Sequence, residues 1–291
     1  MKYEAIDNRL FIKNRKKFTA QMKSNSIAFF NSNDIYPVSA DSTLPFAQHR
    51  DIFYLSGIDQ EESVLFLFPD AKKKEYQEIL FVKETNEHIA IWEGSKLSNS
   101  QGTQTSGVSK VLWLSELESV LDELMTDVKN VYVNINGHYR ANVETETRED
   151  RFIYMIKEKY SNKNIEQSNP ILQSIRSVKE VEEIALIQKA CNITEKGFRR
   201  LLSFVKPNIW EYEIEAELIH EFMRNRSKGF AYTPIVASGN NANVLHYIEN
   251  TAQCRAGELV LMDIAAEYAN YSSDLTRTIP VSGKFTDRQR R

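Results

Sequence analysis

The stretch ELVLMDIAAEYANYSSDLTRTIPV, residues 258–281, sets Asp263 and Asp274 eleven positions apart in an otherwise apolar setting. In its first limb Leu259, Leu261 and Asp263 fall on one strand face, and Val260, Met262 and Ile264 on the other. Both faces are apolar, so the limb reads as a buried strand. The second limb, residues 272–281, is rich in β-branched residues, and Asn270 between the limbs tolerates a left-handed turn. A turn centred between Tyr268 and Ala269 puts the two aspartates directly opposite each other, with Cβ atoms about 4.5–5.5 Å apart. Two like charges at that distance in a low dielectric repel, and one takes up a proton unless a cation lies between them. One divalent metal, or a pair, resolves the conflict and accounts for hard oxygen ligands. A slipped register, or two ordinary turn-flanking aspartates, dissolves it instead.

The remaining composition narrows the class. At 291 residues two domains are the natural expectation, with ample length for a sizeable core. Charged residues make up 26% and hydrophobic residues 42%, and the net charge is −3. This balance gives no electrostatic case for nucleic acid or for a membrane surface. Short basic clusters at residues 14–17 and 72–74 lie beside acids and read as solvated faces. Cys191 and Cys254 are far apart, as reduced thiols of a cytoplasmic protein would be. The N-terminus MKYEAIDNRLFIKNRKK has no apolar core of a signal peptide, and the apolar run 64–68 is too short to span a bilayer.

Residues 1–170 alternate strand-like and helix-like stretches, which argues an α/β domain with a mixed sheet and flanking helices. Strands are expected at residues 26–31, 63–68, 79–83 and 131–134, and helices at 9–24, 114–126 and 149–160. The polar, glycine-bearing stretch 92–107 reads as loop. After a junction near Asn169 and Pro170, Ser177 and Glu180 form a capping box. It opens an amphipathic helix carrying Val181, Ile184, Ile187, Cys191, Phe198, Leu201 and Leu202. A second helix runs from Glu211 to about residue 226. His49, His88, His138 and His220 have no ligand-like partners at suitable spacing and read as surface or structural residues. No Ser-His-Asp or catalytic Cys signature appears, nor a glycine-rich phosphate loop.

PIVASGNNANVLHYIEN (234–250), GELVLMDIAAEY (257–268) and YSSDLTRTIPVSGKFTDRQ (271–289) together resemble the catalytic domain of the proline-specific metallopeptidases. Within that group the match is to Xaa-Pro aminopeptidases (aminopeptidase P) of the pita-bread fold. The resemblance implies that Asp263 and Asp274 are ligands of a dinuclear centre, usually manganese, with Asp274 bridging the ions. It implies that His246, in VLHY, lines the substrate pocket as a catalytic and substrate-binding residue without ligating metal. Ala265 and Asn270 stand where relatives often carry Gly, and neither change removes a ligand. The family's remaining ligands, a His in an HGxxHxxG-type segment and two Glu, find no match before the sequence stops at Arg291. The chain is therefore expected to be an α/β N-terminal domain, residues 1–170, followed by the first half of an α+β pita-bread domain, residues 171–291. It is expected to be inactive alone. Strands at 232–239 and over VLHY should complete the pocket wall.

SADSTLPFAQHRDIFYLSGI (39–58) likewise resembles a segment of the aminopeptidase P N-terminal domain, with Ala47 where Arg is common. That domain mediates homo-oligomerisation in relatives and reaches a neighbour's active site. The resemblance makes Asp41 and Trp92, in AIWEG, candidates for that substrate contact, against plain readings as a turn acid and a packed tryptophan. The activity implied is removal of the N-terminal residue from peptides with proline second, water being activated by two Mn²⁺ ions. An Xaa-Pro dipeptidase (prolidase) and a non-catalytic pita-bread binding module are the alternatives.

Overall fold

The segment Ser-Ile-Ala-Phe-Phe-Asn, residues 26–31, is apolar on both alternating faces, and such a strand is stable only when both are covered. Both are covered in the computed structural model of this chain, which describes residues 3–138, 140 and 143–290. The described residues divide into two units. One spans residues 5–179; the other comprises Tyr3, Glu4 and residues 180–290.

In the first unit the elements are α1 (Arg9–Thr19), β1 (Ser26–Asn31), β2 (Pro37–Ser39), β3 (Ser42–Thr43), α2 (Arg50–Ser56), β4 (Val64–Leu67), β5 (Glu78–Val82) and α3 (Glu87–Glu93). They continue with α4 (Asn99–Ser106), β6 (Lys110–Trp113), α5 (Leu117–Met125), β7 (Asn130–Val133), α6 (Arg148–Lys159), β8 (Asn164–Gln167) and α7 (Asn169–Ser177). Six strands form a mixed sheet in the order β6-β5-β4-β1-β7-β8, antiparallel only where β4 meets its two neighbours. Alternation sends Ile27, Phe29, Phe66 and Phe81 into one core with Leu121, Ile153 and Ile156 of α5 and α6. Ala28, Phe30, Leu65 and Leu80 enter the other, with Phe18, Ile52, Leu55 and Leu172 from α1, α2 and α7. The expected mixed sheet with flanking helices is thus present.

Three details differ from expectation. The 92–107 stretch is not all loop: α4 forms there with no apolar periodicity, held by a Ser98–Gln101 capping box and a left-handed Gly107 at its end. The cluster at 14–17 is not a solvated face. Asn14 and Arg15 are fully buried, and the Arg15 guanidinium donates to Leu55 O (2.8 Å) and Ser106 O (2.9 Å) and pairs with Glu78. The division between units falls after Lys179, because α7 adds Ile171, Leu172 and Ile175 to the core of the first unit.

The second unit begins with α8 (Val181–Phe204) and α9 (Glu211–Arg224), followed by β9 (Ile235–Ser238), β10 (Leu259–Ile264), β11 (Glu267–Tyr268), β12 (Tyr271–Ser272) and β13 (Leu275–Pro280). The capping box of α8 is Glu180 with Glu183, one turn later than Ser177, which instead ends α7. The expected apolar face is also rotated. Val181, Ile184, Cys191 and Leu202 are exposed, whereas Leu186, Ala190, Ile193, Thr194, Gly197 and Leu201 are buried. Small residues decide this: a Cβ on Gly197 would lie 2.7 Å from the Phe222 ring of α9. The close α8–α9 crossing admits no side chain there.

Candidate metal centre

Strand β10 is the middle of a three-stranded antiparallel sheet, β13-β10-β9. Val260, Met262 and Ile264 are fully buried on one face; Leu259, Leu261 and Asp263 on the other are half-buried. The strand is therefore buried on one side and semi-open on the side that carries the charge.

The hairpin register differs from that expected. Its turn residues are Ala269 and Asn270, with φ of 52° and 64°, the left-handed pair that a type I′ turn requires. Tyr268 therefore pairs with Tyr271, and Asp263 lies opposite Thr276 rather than Asp274. Moving the turn by one residue from the expected centre moves the pairing by two, which leaves both aspartates on the same face as diagonal neighbours. Between the two ladders the first limb bends away: Ala266 bridges Phe230, and Ala265 O accepts from Ala231 N–H. Thr194 of α8 pins this bend. Its hydroxyl accepts from Ala266 N–H (2.8 Å) and shares a hydrogen bond with the Ser273 hydroxyl (2.7 Å), which donates to Ala266 O.

Both carboxylates converge on one group. The Tyr232 hydroxyl lies 2.6 Å from Asp263 Oδ1 and 3.1 Å from Asp274 Oδ1. Burial, then the hydrogen bond to Asp263, pushes the Tyr232 phenol far above its usual range, so it stays a donor. Asp263 is half-buried and Asp274 exposed. Asp274 also lines a cleft of about 430 Å³ with Leu275 and Arg277 of β13 and Cys191, Phe198 and Leu202 of α8. Two carboxylates on one face, with a neutral hydroxyl between them, form a hard oxygen donor set of the kind divalent cations take. Their chemistry fits such an ion. Among the described residues no third His, Cys, Asp or Glu joins them.

His246 is not on a strand. Val244, Leu245 and His246 lie in an exposed turn after the short 3₁₀ segment Gly239–Asn243, and the imidazole makes no hydrogen bond to either aspartate. Tyr247 beside it is buried and packs with Ile235 and Ala237 of β9 and with Leu261. Ile235 pairs with Asp263 and Ala237 with Leu261, so Tyr247 lies over the face that carries Asp263. In the first unit Asp41 is exposed in the turn between β2 and β3. Trp92, on α3, is 80% exposed rather than packed. His49 has a structural part, accepting Asp51 N–H as the cap of α2.

Nothing in the local sequence marks Tyr232, which reads as part of a strand, or Glu211, which reads as a helix start. A Tyr two residues before Pro234 and an acid at a helix N-terminus are too common to stand out.

Comparison with known proteins accords with these units. The aminopeptidase P N-terminal domain matches residues 11–132, and metallopeptidase family M24 matches residues 185–291. The Xaa-Pro aminopeptidase of Escherichia coli is 32% identical over 98% of this chain, which covers 65% of that protein. For the Haemophilus influenzae Xaa-Pro aminopeptidase, also 32% identical, the chain covers 62%. The chain thus spans somewhat less than two thirds of the length of these curated relatives. The solved structure of E. coli aminopeptidase P in its low pH form superposes with a TM-score of 0.87 at 31% identity, over 99% of this chain and 65% of that one. Pseudomonas aeruginosa aminopeptidase PepP gives 0.86 at 27% identity, over 98% and 64%. The chain is therefore similar to the aminopeptidase P proteins in both of its parts, matching their N-terminal domain and part of the pita-bread metallopeptidase domain.

Proposed function

We propose that this chain carries one side of the active site of an Xaa-Pro aminopeptidase, a metal-dependent hydrolase that removes the residue preceding proline at a peptide N-terminus. The observation that carries the reading is the convergence of Asp263 and Asp274 on the Tyr232 hydroxyl. Asp263 and Asp274 would hold two divalent ions, Mn²⁺ by family precedent, through their carboxylate oxygens. When bound, such ions lower the pKa of water and polarise a peptide carbonyl. Tyr232 keeps the carboxylates turned towards each other, and the semi-open face of β10 keeps them within reach of solvent. His246, exposed and unengaged, would hydrogen-bond the substrate and the oxyanion that develops from its carbonyl.

Asp41 and Trp92 are proposed as contacts to substrate bound by a neighbouring copy in a homo-oligomer, a reading supported by the exposure of both side chains. A cytoplasmic setting suits the two free thiols. No helix among the described residues is long and apolar enough to cross a membrane.

Calorimetric titration of the purified chain with Mn²⁺ tests the metal reading. Heat of binding is expected for the parent chain and absent from a D263N/D274N variant. Equal binding by both would end the metal reading. In a protein that supplies the family's remaining ligands as well, an Xaa-Pro-Yaa tripeptide assayed beside an Xaa-Pro dipeptide separates aminopeptidase from dipeptidase activity, and the tripeptide is the expected substrate.

A further inference from the structure

We infer that Glu211 is a positioning residue that sets where His246 stands; this rests on the role proposed for His246 above. Glu211 opens α9, and its side chain is fully buried. Five neutral donors surround the carboxylate. Oε1 accepts from Ser238 N–H (2.7 Å), the Ser238 hydroxyl (2.8 Å) and the Asn241 amide (3.2 Å). Oε2 accepts from the Tyr247 hydroxyl (2.7 Å) and Ala252 N–H (2.9 Å). Among the described residues no cation pairs with it. A carboxylate in such a place is costly unless its lone pairs are all engaged, and here they are.

The donors share one origin. All of them lie in the segment 238–252, which leaves the end of β9, passes through the His246 turn and returns beside α9. Glu211 therefore fixes both ends and two interior points of one loop. One turn further along α9, Glu215 accepts from the Asn250 amide (3.1 Å), while Asn250 donates to Pro234 O and accepts from Val236 N–H. The loop is thus mounted on one face of α9 through carboxylates at i and i+4. The Tyr247 bond matters most. It holds that ring over Ile235, Ala237 and Leu261, on the Asp263 face, and leaves the adjacent His246 exposed beside it. Gln is a poor substitute. Its Oε1 can keep the Ser238 and Asn241 bonds, but its amide then meets Ala252 N–H donor to donor.

The test uses the 291-residue chain, with the imidazole protons of His246 identified by their loss in H246Q. Mn²⁺ is expected to broaden these protons in the parent chain and not in D263N/D274N. In E211Q the Mn²⁺ affinity should be unchanged while the broadening at His246 falls several-fold. Amide hydrogen exchange over 239–252 should rise at least tenfold, with the rest of the unit unaffected. Y247F should shift both readouts the same way by less, and it carries the test if E211Q does not fold. Native broadening and protection in E211Q would overturn the inference, as would an exchange increase spread evenly over residues 180–290. If the parent chain shows no Asp-dependent Mn²⁺ effect, the metal reading falls, and confinement of the exchange increase to 239–252 alone decides the role of Glu211.

Discussion

The two larger sheets of this protein are covered differently. In the N-terminal unit every residue of β1 and β4 is buried, and helices lie against both faces. In the C-terminal unit β10 buries only alternate residues, and β13 beside it is largely exposed. The first sheet is apolar throughout its centre, while the second bears two carboxylates on its open face. A charge at the centre of the first would be stranded in a low dielectric. On the second it stays near water and ligands. Coverage, rather than strand composition, decides which sheet can bear chemistry.

The contrast is sharpest in side-chain deletions. Phe66→Ala, which removes a fully buried ring packed edge-on against Phe29 and Phe81, should cost about 3–5 kcal/mol in denaturant unfolding of the N-terminal unit. Within β10, Met262→Ala should cost ~2–5 kcal/mol and Leu261→Ala clearly less, since Leu261 is only half-buried. Equal losses at the two positions would erase the distinction between the faces.

A second break point is titration. Burial raises the Glu149 carboxyl to about 7, although Asn31 and Asn134 donate hydrogen bonds to it. The folded state then holds a proton that the unfolded chain releases near its ordinary value of about 4.3. Stability of the N-terminal unit is therefore full below that value, falls as pH rises towards 7, and is level above it. The loss is at most ~4 kcal/mol, and Glu149→Gln should flatten the profile in urea melts at pH 4 to 8. A profile that rises over this window would contradict the assignment.

The smallest effects lie on the exposed side of α8. Val181→Ser and Leu202→Ser should each change stability by no more than about 0.5 kcal/mol. Cys191 on the same side should react promptly with a thiol reagent, whereas Cys254, buried and raised to about 11, should react only on unfolding.

Much of this was legible in the residues. Four of the six strands of the N-terminal sheet announce themselves as short apolar runs, whereas the edge strands β6 and β8 do not, and the paired aspartates stand out because charge is rare in such runs. What escaped depended on partners distant in sequence. Helix α4, NSQGTQTS, has no apolar period and is defined by its caps and by Gly102 fitting against Val111. The buried face of α8 follows small residues that admit α9, and the larger Val181, Ile184 and Leu202 point outward. Arg15 reads as a surface cation until Glu78 and two carbonyls are brought to it. Tyr232 and Glu211 matter through hydrogen bonds to residues between 27 and 42 positions away, and no local pattern encodes those.

The two-residue turn at Ala269 and Asn270 works as a ruler. Because alternate residues of a strand face opposite ways, the span from Asp263 to Asp274 tolerates exchanges of side chain but not a change in count. One residue inserted or deleted within it would swing one carboxylate to the far side of the sheet, away from Tyr232, without disturbing the apolar composition at all.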